Sequence, residues 1–256
     1  MLKLLRATLG QPRRTTAYPD GPAPELAARF RGQPVVTGER CADGCAACAE
    51  VCPTEAIRLQ PELAVDLGRC LFCAECAHAC PTGALAYGHD HRLAARERAD
   101  LVVGEHETVR LASALDGRMR RLFGRSLRLR QVSAGGCNGC ESEINVLSSV
   151  VWDIGRFGIQ LVASPRHADG LLVTGPVTAN MRLALEKTYA AVAPPKLVIA
   201  IGACAISGGI YRGHSETSDG VDASLPVDLY VPGCPPHPLT LLDGLLRLLG
   251  RLDDDR

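Results

Sequence analysis

The stretch LRLRQVSAGGCNGCESEINVL, residues 127 to 147, runs from an apolar segment through a glycine-rich turn into a helical pattern, and its turn carries Cys137 and Cys140. Residues 127–132 read as a strand and residues 141–154 as a helix. The same alternation continues downstream, with strands expected at 158–163, 170–174, 196–201 and 227–231 and helices at 178–192 and 238–249. Such an order predicts a doubly wound, flavodoxin-like, mostly parallel sheet with helices on both faces, occupying residues 126–256.

Ligands in this architecture collect beyond the carboxyl ends of the strands. Cys137 and Cys140 follow the first strand, Cys204 follows the fourth in VIAIGACAISGG, and Cys234 follows the fifth in LYVPGCPP. Singly, Cys204 and Cys234 also read as small buried apolar residues. Their shared position at strand ends, beside a Cys-x-x-Cys pair, favours a cage of four thiolates for a [4Fe-4S] cubane. Gly135, Gly136, Gly202 and Gly233 flank the cage, allow close backbone approach and offer N–H groups that tune the cluster.

The leading part contains an internal repeat. CADGCAACAEVCPTEAIRL, residues 41–59, and CLFCAECAHACPTGALAY, residues 70–87, are two copies of one unit. The second copy has the C-x2-C-x2-C-x3-C-P spacing of bacterial ferredoxins, in which the fourth cysteine serves the other cluster. One cubane is therefore expected on Cys41, Cys45, Cys48 and Cys80, and another on Cys70, Cys73, Cys76 and Cys52. The first copy has one extra residue between Cys41 and Cys45, which an Asp43-Gly44 turn absorbs. Paired zinc sites or disulfides are the competing reading of these eight cysteines. Residues 1–90 are thus read as an α+β 2[4Fe-4S] ferredoxin-like domain with an N-terminal docking segment. Residues 91–125 form an arginine-rich, partly helical connector whose charges face solvent or a partner.

The chain has 256 residues, enough for two modest domains, and 28 basic against 28 acidic side chains. A net charge of zero gives no general field for nucleic acid or an anionic membrane. Twelve cysteines without a signal-peptide pattern indicate a reducing compartment and metal ligation rather than disulfides. Arg13-Arg14 leads into Pro19, Gly21 and Pro22 instead of an apolar run, so it reads as a basic turn and not an export signal. No window reaches eighteen uninterrupted apolar residues. Leu2, Leu5 and Leu9 suggest a short helix that docks on a partner. His78, His89 and His91 read as surface or cluster-shell residues, and the loop 207–226 as a partner contact.

With CNGCESEI, SPRHADGLLVTGPVT, GACAISGGIY and VDLYVPGCPPHP in view, the trailing half resembles the small subunit of energy-converting, membrane-bound [NiFe] hydrogenases, including that of formate hydrogenlyase. That family is similar in turn to the complex I subunit carrying the cluster nearest quinone. The leading half, with MLKLL, FRGQP and the repeat, resembles the polyferredoxin-type subunit of the same assemblies, so the chain looks like a natural fusion of the two. The spaced pair Cys137-Asn138-Gly139-Cys140 is the hydrogenase form, since the complex I subunit carries adjacent cysteines there.

The resemblance implies three [4Fe-4S] clusters that carry electrons to a Ni–Fe centre in a large subunit, where protons become H2. It also implies an electron-donor subunit, integral-membrane antiporter-like subunits, and a peripheral position on the cytoplasmic face of the cell membrane. Glu143 matches an acid beside the cluster with an implied proton role, and it reads equally well as a charge at a helix N-terminus. Arg166 and His167 match a loop near the cluster and the large subunit, where His167 would hydrogen-bond to cluster sulfur or partner rather than bind iron. Two other functions stay open. One is a complex I-like module that reduces quinone; the other is a zinc-binding scaffold.

Overall fold

The computed structural model describes residues 2–10, 14–105 and 107–252. Arg13, half of the basic pair, lies outside them. The chain begins with helix α1 (Leu2–Gly10), which has no buried residue and exposes Leu2, Leu4, Leu5 and Leu9. Strand β1 (Pro34–Val36), helix α2 (Ala47–Glu50), strands β2 (Ile57–Arg58) and β3 (Ala64–Asp66), helix α3 (Glu75–Ala79) and strand β4 (Leu85–Tyr87) follow. Strand β1 pairs antiparallel with β4, setting Val36 opposite Leu85. Each copy of the cysteine repeat therefore supplies one short helix, α2 or α3, and one strand, β2 or β4.

The arginine-rich segment does more than connect. Its strand β5 (Val102–Val103) completes an antiparallel sheet in the order β2-β3-β5. Leu93, Ala94, Ala95, Leu101 and Val103 are buried, and Ala95 makes a bridge to Tyr230 in the trailing half. Two short apolar runs, residues 93–95 and 101–103, with the charged stretch 96–100 between them, explain the difference. Helix α4 (Gly117–Phe123) closes the segment and is capped by Asp116, whose carboxylate accepts from the N–H groups of Arg118 and Met119.

The trailing half is built on strands β6 (Leu127–Ser133), β7 (Ile159–Leu161), β8 (Gly170–Thr174), β9 (Leu197–Ile201) and β10 (Leu229–Val231) with helices α5 (Gly139–Val146), α6 (Ala179–Ala191), α7 (Gly202–Ser207) and α8 (Pro238–Leu248). The strands form one sheet in the order β10-β9-β8-β6-β7 with every pair parallel, an order consistent with a flavodoxin-like fold. Strands β8 and β9 are buried at every position, as expected of continuous apolar runs in a sheet covered on both sides. On one face Leu171, Val173, Val198 and Ala200 pack with Leu185 of α6 and Ile206 of α7. On the other, Leu172, Leu197 and Ile199 pack with Ile144 of α5 and the leucines of α8.

Helix α5 stops at Val146, short of the expected 154. Asp153 takes a left-handed conformation with φ of 44°, which α-helix does not tolerate, and the chain resumes as a 3-10 turn over Ile154–Phe157. His91 is buried rather than superficial, because Tyr18 stacks edge-on against it at 5.7 Å.

Candidate metal centres

The repeat folds so that its cysteines cross over. The Cys48 thiol, pushed up by burial, is pushed further by the neighbouring sulfurs of Cys80 and Cys41, one from the second copy and one from the first. Cys70 is raised to about 12 by burial, with Cys76 and Cys52 as its charged neighbours. Cys76 is likewise raised by burial and senses Cys52 and Cys73. The fourth cysteine of each copy thus stands with cysteines of the other, Cys80 with Cys48, and Cys52 with Cys70 and Cys76. Cys45 joins Cys41 along one open cleft, in which Leu59 is a further wall. Cys52, Cys70, Cys73 and Cys76 line a separate, nearly closed cavity with Tyr87.

Backbone donors aim at these sulfurs. Ala56 N–H donates to Cys52 Sγ and Ala84 N–H to Cys80 Sγ, each at 3.2 Å, and Phe72 N–H reaches Cys70 Sγ at the same distance. For Cys80, burial raises the thiol, but the Thr82 hydroxyl and three backbone N–H groups together outweigh it and bring it down to about 7. Tyr87 Oη stands 3.3 Å from Cys70 Sγ and 3.6 Å from Cys76 Sγ.

A third group forms beyond the carboxyl ends of β6, β9 and β10. Cys140 lies in the first turn of α5, Cys204 in the first turn of α7, and Cys234 in the turn after β10. Burial raises Cys140 far above an ordinary thiol, and Glu141, Cys234, Cys204 and Cys137 add to it. Cys204 is raised to about 11 by burial and then by Cys234 and Cys137. Gly202 turns the chain at φ of 85°, and a Cβ there would stand 2.6 Å from Cys140 Sγ. Gly209 presses in the same way on Cys204, where a Cβ would meet its Sγ at 2.8 Å. That second contact had no signal in the sequence beyond a Gly-Gly pair.

Gly135 and Gly233 take positive φ in the turns after β6 and β10, while Gly136 packs against Gly175. Arg166 and His167 are exposed on a 3-10 turn after β7, and among the described residues neither side chain has a hydrogen-bond partner. Glu143 is half buried and raised by that burial, and it lines a cavity of about 540 Å³ with Cys234, Pro235, His237, Arg29 and Arg31. Glu141, which the sequence did not single out, is the buried acid beside the cage. Its Oε1 accepts from Thr174 Oγ1 at 2.7 Å, and hydroxyl hydrogen bonds overcome burial to hold its pKa low.

The second and third groups are neighbours. Besides burial and Cys137, the thiol of Cys234 is raised by Cys73 of the leading half. The thiols of Cys48, Cys70, Cys76, Cys140, Cys204 and Cys234 resist ionising because they are buried, whereas a positively charged metal–sulfide core draws them out as thiolates, so the donor sets fit such a group. Among the described residues no three His, Cys, Asp or Glu side chains stand close enough to share one ion.

Residues 40–84 match the model of a 4Fe-4S dicluster domain, and residues 137–248 match that of the NADH ubiquinone oxidoreductase 20 kDa subunit. A probable membrane-bound hydrogenase subunit of Pyrococcus furiosus is 44% identical over 132 residues, covering 52% of this chain and 79% of the relative. Formate hydrogenlyase subunit 7 of Escherichia coli is 46% identical over 129 residues, 50% of this chain and 51% of the relative. An NADH-quinone oxidoreductase subunit of Citrifermentans bemidjiense is 43% identical over 117 residues, 46% of this chain and 68% of the relative. Fold, thiol groups and relatives together define an iron–sulfur oxidoreductase subunit. The chain belongs to the family of the complex I 20 kDa subunit, which its hydrogenase relatives share, and it carries a 4Fe-4S dicluster domain ahead of that unit.

Proposed function

We propose that this chain is the iron–sulfur electron-transfer subunit of a membrane-bound [NiFe] hydrogenase complex of the formate hydrogenlyase kind. It would hold three [4Fe-4S] clusters, on Cys41-Cys45-Cys48-Cys80, on Cys52-Cys70-Cys73-Cys76 and on Cys137-Cys140-Cys204-Cys234. Bound there, the clusters supply one-electron carriers whose potentials follow burial, charge and hydrogen bonds to sulfur. The supporting observation is a shared cavity, lined by Leu71 and Phe72 of the second repeat copy together with Cys234, whose thiol also feels Cys73.

The chain's own residues orient the sulfurs by backbone N–H groups and wrap two cages in apolar side chains. Glu143 is read as the group that holds or passes a proton on the cavity side of Cys234. Arg166 and His167 remain a contact for the large subunit, and α1 a contact for another partner. The trailing sheet is read as doubly wound, with residues 1–90, 91–125 and 126–256 as the chain's leading, connecting and trailing parts. A peripheral place on the cytoplasmic face, beside integral-membrane and electron-donor subunits, is proposed from the likeness to a membrane-bound hydrogenase subunit.

Quinone reduction is the second reading, supported by the NADH-quinone oxidoreductase relatives. A zinc-binding scaffold is the third reading, and metal and sulfide content tell it from the other two. Anaerobic purification of the native assembly, with iron, sulfide and nickel analysis and an H2 assay on reduced dye, tests the proposal. About twelve irons per chain and a copurifying nickel protein are expected. Stoichiometric zinc without sulfide refutes it, as does electron transfer to quinone without nickel. Cys140→Ser abolishes turnover and leaves the signals of the two leading clusters in place.

A further inference from the structure

The two repeat copies treat their fourth cysteines alike. The hydroxyls of Thr54 and Thr82 stand 3.9 and 3.7 Å from Cys52 Sγ and Cys80 Sγ, and the N–H donors of Ala56 and Ala84 match at 3.2 Å. The copies part at their last residues. CPTEAIRL ends in Leu59 and CPTGALAY ends in Tyr87. Leu59 borders the open cleft with Cys41 and Cys45 and has no donor, whereas Tyr87 places its hydroxyl between Cys70 and Cys76. A phenol O–H facing a thiolate donates to it.

The two environments pull on an added electron in opposite ways. Cys70 and Cys76 are 5% and 6% exposed and line a nearly closed cavity, so a more negative charge there is disfavoured by desolvation. In the other group Cys48 is buried as well, at 6% exposure, but the cleft of about 470 Å³ at Cys41 and Cys45 admits solvent that stabilises such a charge. Burial alone would leave the group next to Cys234 the harder of the two to reduce. A hydrogen bond to sulfur favours the more negative state and works against that penalty.

We infer that Tyr87 sets the reduction potential at Cys52-Cys70-Cys73-Cys76, its hydroxyl raising that potential relative to the Cys41-Cys45-Cys48-Cys80 group. The inference rests on the cluster-bearing reading above. Tyr87 keeps its proton throughout and touches no substrate. The repeat's leucine-to-tyrosine difference thereby counters the burial penalty at the group beside the trailing cage.

The test compares the anaerobic holo-chain with Tyr87→Phe, which keeps the ring packed on Phe72 at 6.2 Å. Redox titration followed by electron paramagnetic resonance reads each cluster separately. At fixed poise the reduced-to-oxidised ratio at this cage falls about tenfold, a shift of about 59 mV for one electron, while the other clusters stay where they were. In D2O, the native chain shows the coupling of the Tyr87 hydroxyl deuteron to this cluster beside those of the Ala56 and Phe72 backbone deuterons, and the variant loses the first alone. An unchanged potential, a shift shared by all clusters, or loss of the cluster from the variant overturns the inference. A native chain with no cluster at these cysteines refutes the underlying reading instead.

Discussion

Cys80 illustrates how backbone geometry prepares a ligand: burial alone would keep its thiol protonated, yet Thr82 and three N–H groups bring it to about 7. The two glutamates after Cys140 are separated by the same kind of accounting. Glu141 is held ionised by hydroxyl partners, while Glu143 is raised by burial and faces the cavity by Cys234, which is the environment of a group that exchanges protons. Glu143→Gln is expected to lower H2 evolution about a hundredfold with cluster potentials unchanged, and turnover within a factor of two would remove Glu143 from proton handling. His91 offers a pH test. Burial depresses it below 6.5, Arg92 and Arg247 act in the same direction, and Asp243 and Asp90 oppose them. Below 6.5 the unfolded chain binds this proton and the folded chain does not, so the contribution to stability is lost as pH falls through that value toward the depressed native one. His91→Leu also removes a buried Nε2 without a hydrogen-bond partner. Its melting temperature should therefore gain on the native protein's between about pH 7.5 and 5.5, and parallel curves would contradict the assignment. The cysteines were legible in sequence because ligand spacing is a local constraint. The environment of His91 was not, since Tyr18 and Asp243, joined by a 2.6 Å hydrogen bond, are 225 positions apart.

At the scale of elements, the sequence located the trailing strands because buried parallel strands read as unbroken apolar runs, and Gly170–Thr174 matches residue for residue. The buried positions within 91–125 were less legible, because the runs 93–95 and 101–103 are too short to stand out among the charges around them. The charges themselves are structural. Arg98 sends a two-pronged contact to Asp66, 2.8 Å to each oxygen, and so fastens β5's segment to β3. Asp66 also accepts from Gly68 N–H and pairs with Arg69 at 3.5 Å. Arg98→Leu leaves a buried carboxylate with weaker partners. With the guanidinium itself partly exposed, the loss should be about 1–2 kcal/mol in urea unfolding of the reconstituted protein. A change below about 0.5 kcal/mol would make the pair a surface ornament. The loop 207–226 likewise turns inward in part: Val221 and Leu225 are buried, and Arg212 pairs with Glu55 of the leading half at 3.1 Å.

For the molecule as a whole, the two halves are not beads on a string. One core runs from Val65, Leu67 and Leu101 of the leading half to Leu171, Val173 and Ala200 on the trailing sheet. Near the N-terminus, Thr16 N–H donates to Val151 O, Arg156 donates to the carbonyls of Thr16 and Tyr18, and Tyr18 reaches Asp243 of α8. Residues before the repeat therefore clasp the far side of the trailing unit, an arrangement that no local pattern reveals because it depends on where the chain returns. Core and clasp together hold Cys73 near Cys234, since two independently tumbling domains would hold no fixed separation. Truncation checks the argument. Residues 1–90 contain all eight leading cysteines but lack β5, Arg98 and Leu101, whereas residues 1–105 restore the third strand of the β2-β3-β5 sheet. After anaerobic reconstitution and gel filtration, the longer fragment should retain several-fold more iron per chain, because β3 then has its partner and Asp66 its guanidinium. Equal iron in the two fragments would mean that the repeat folds without the segment that follows it, and the unity of the core would then be an accident of packing.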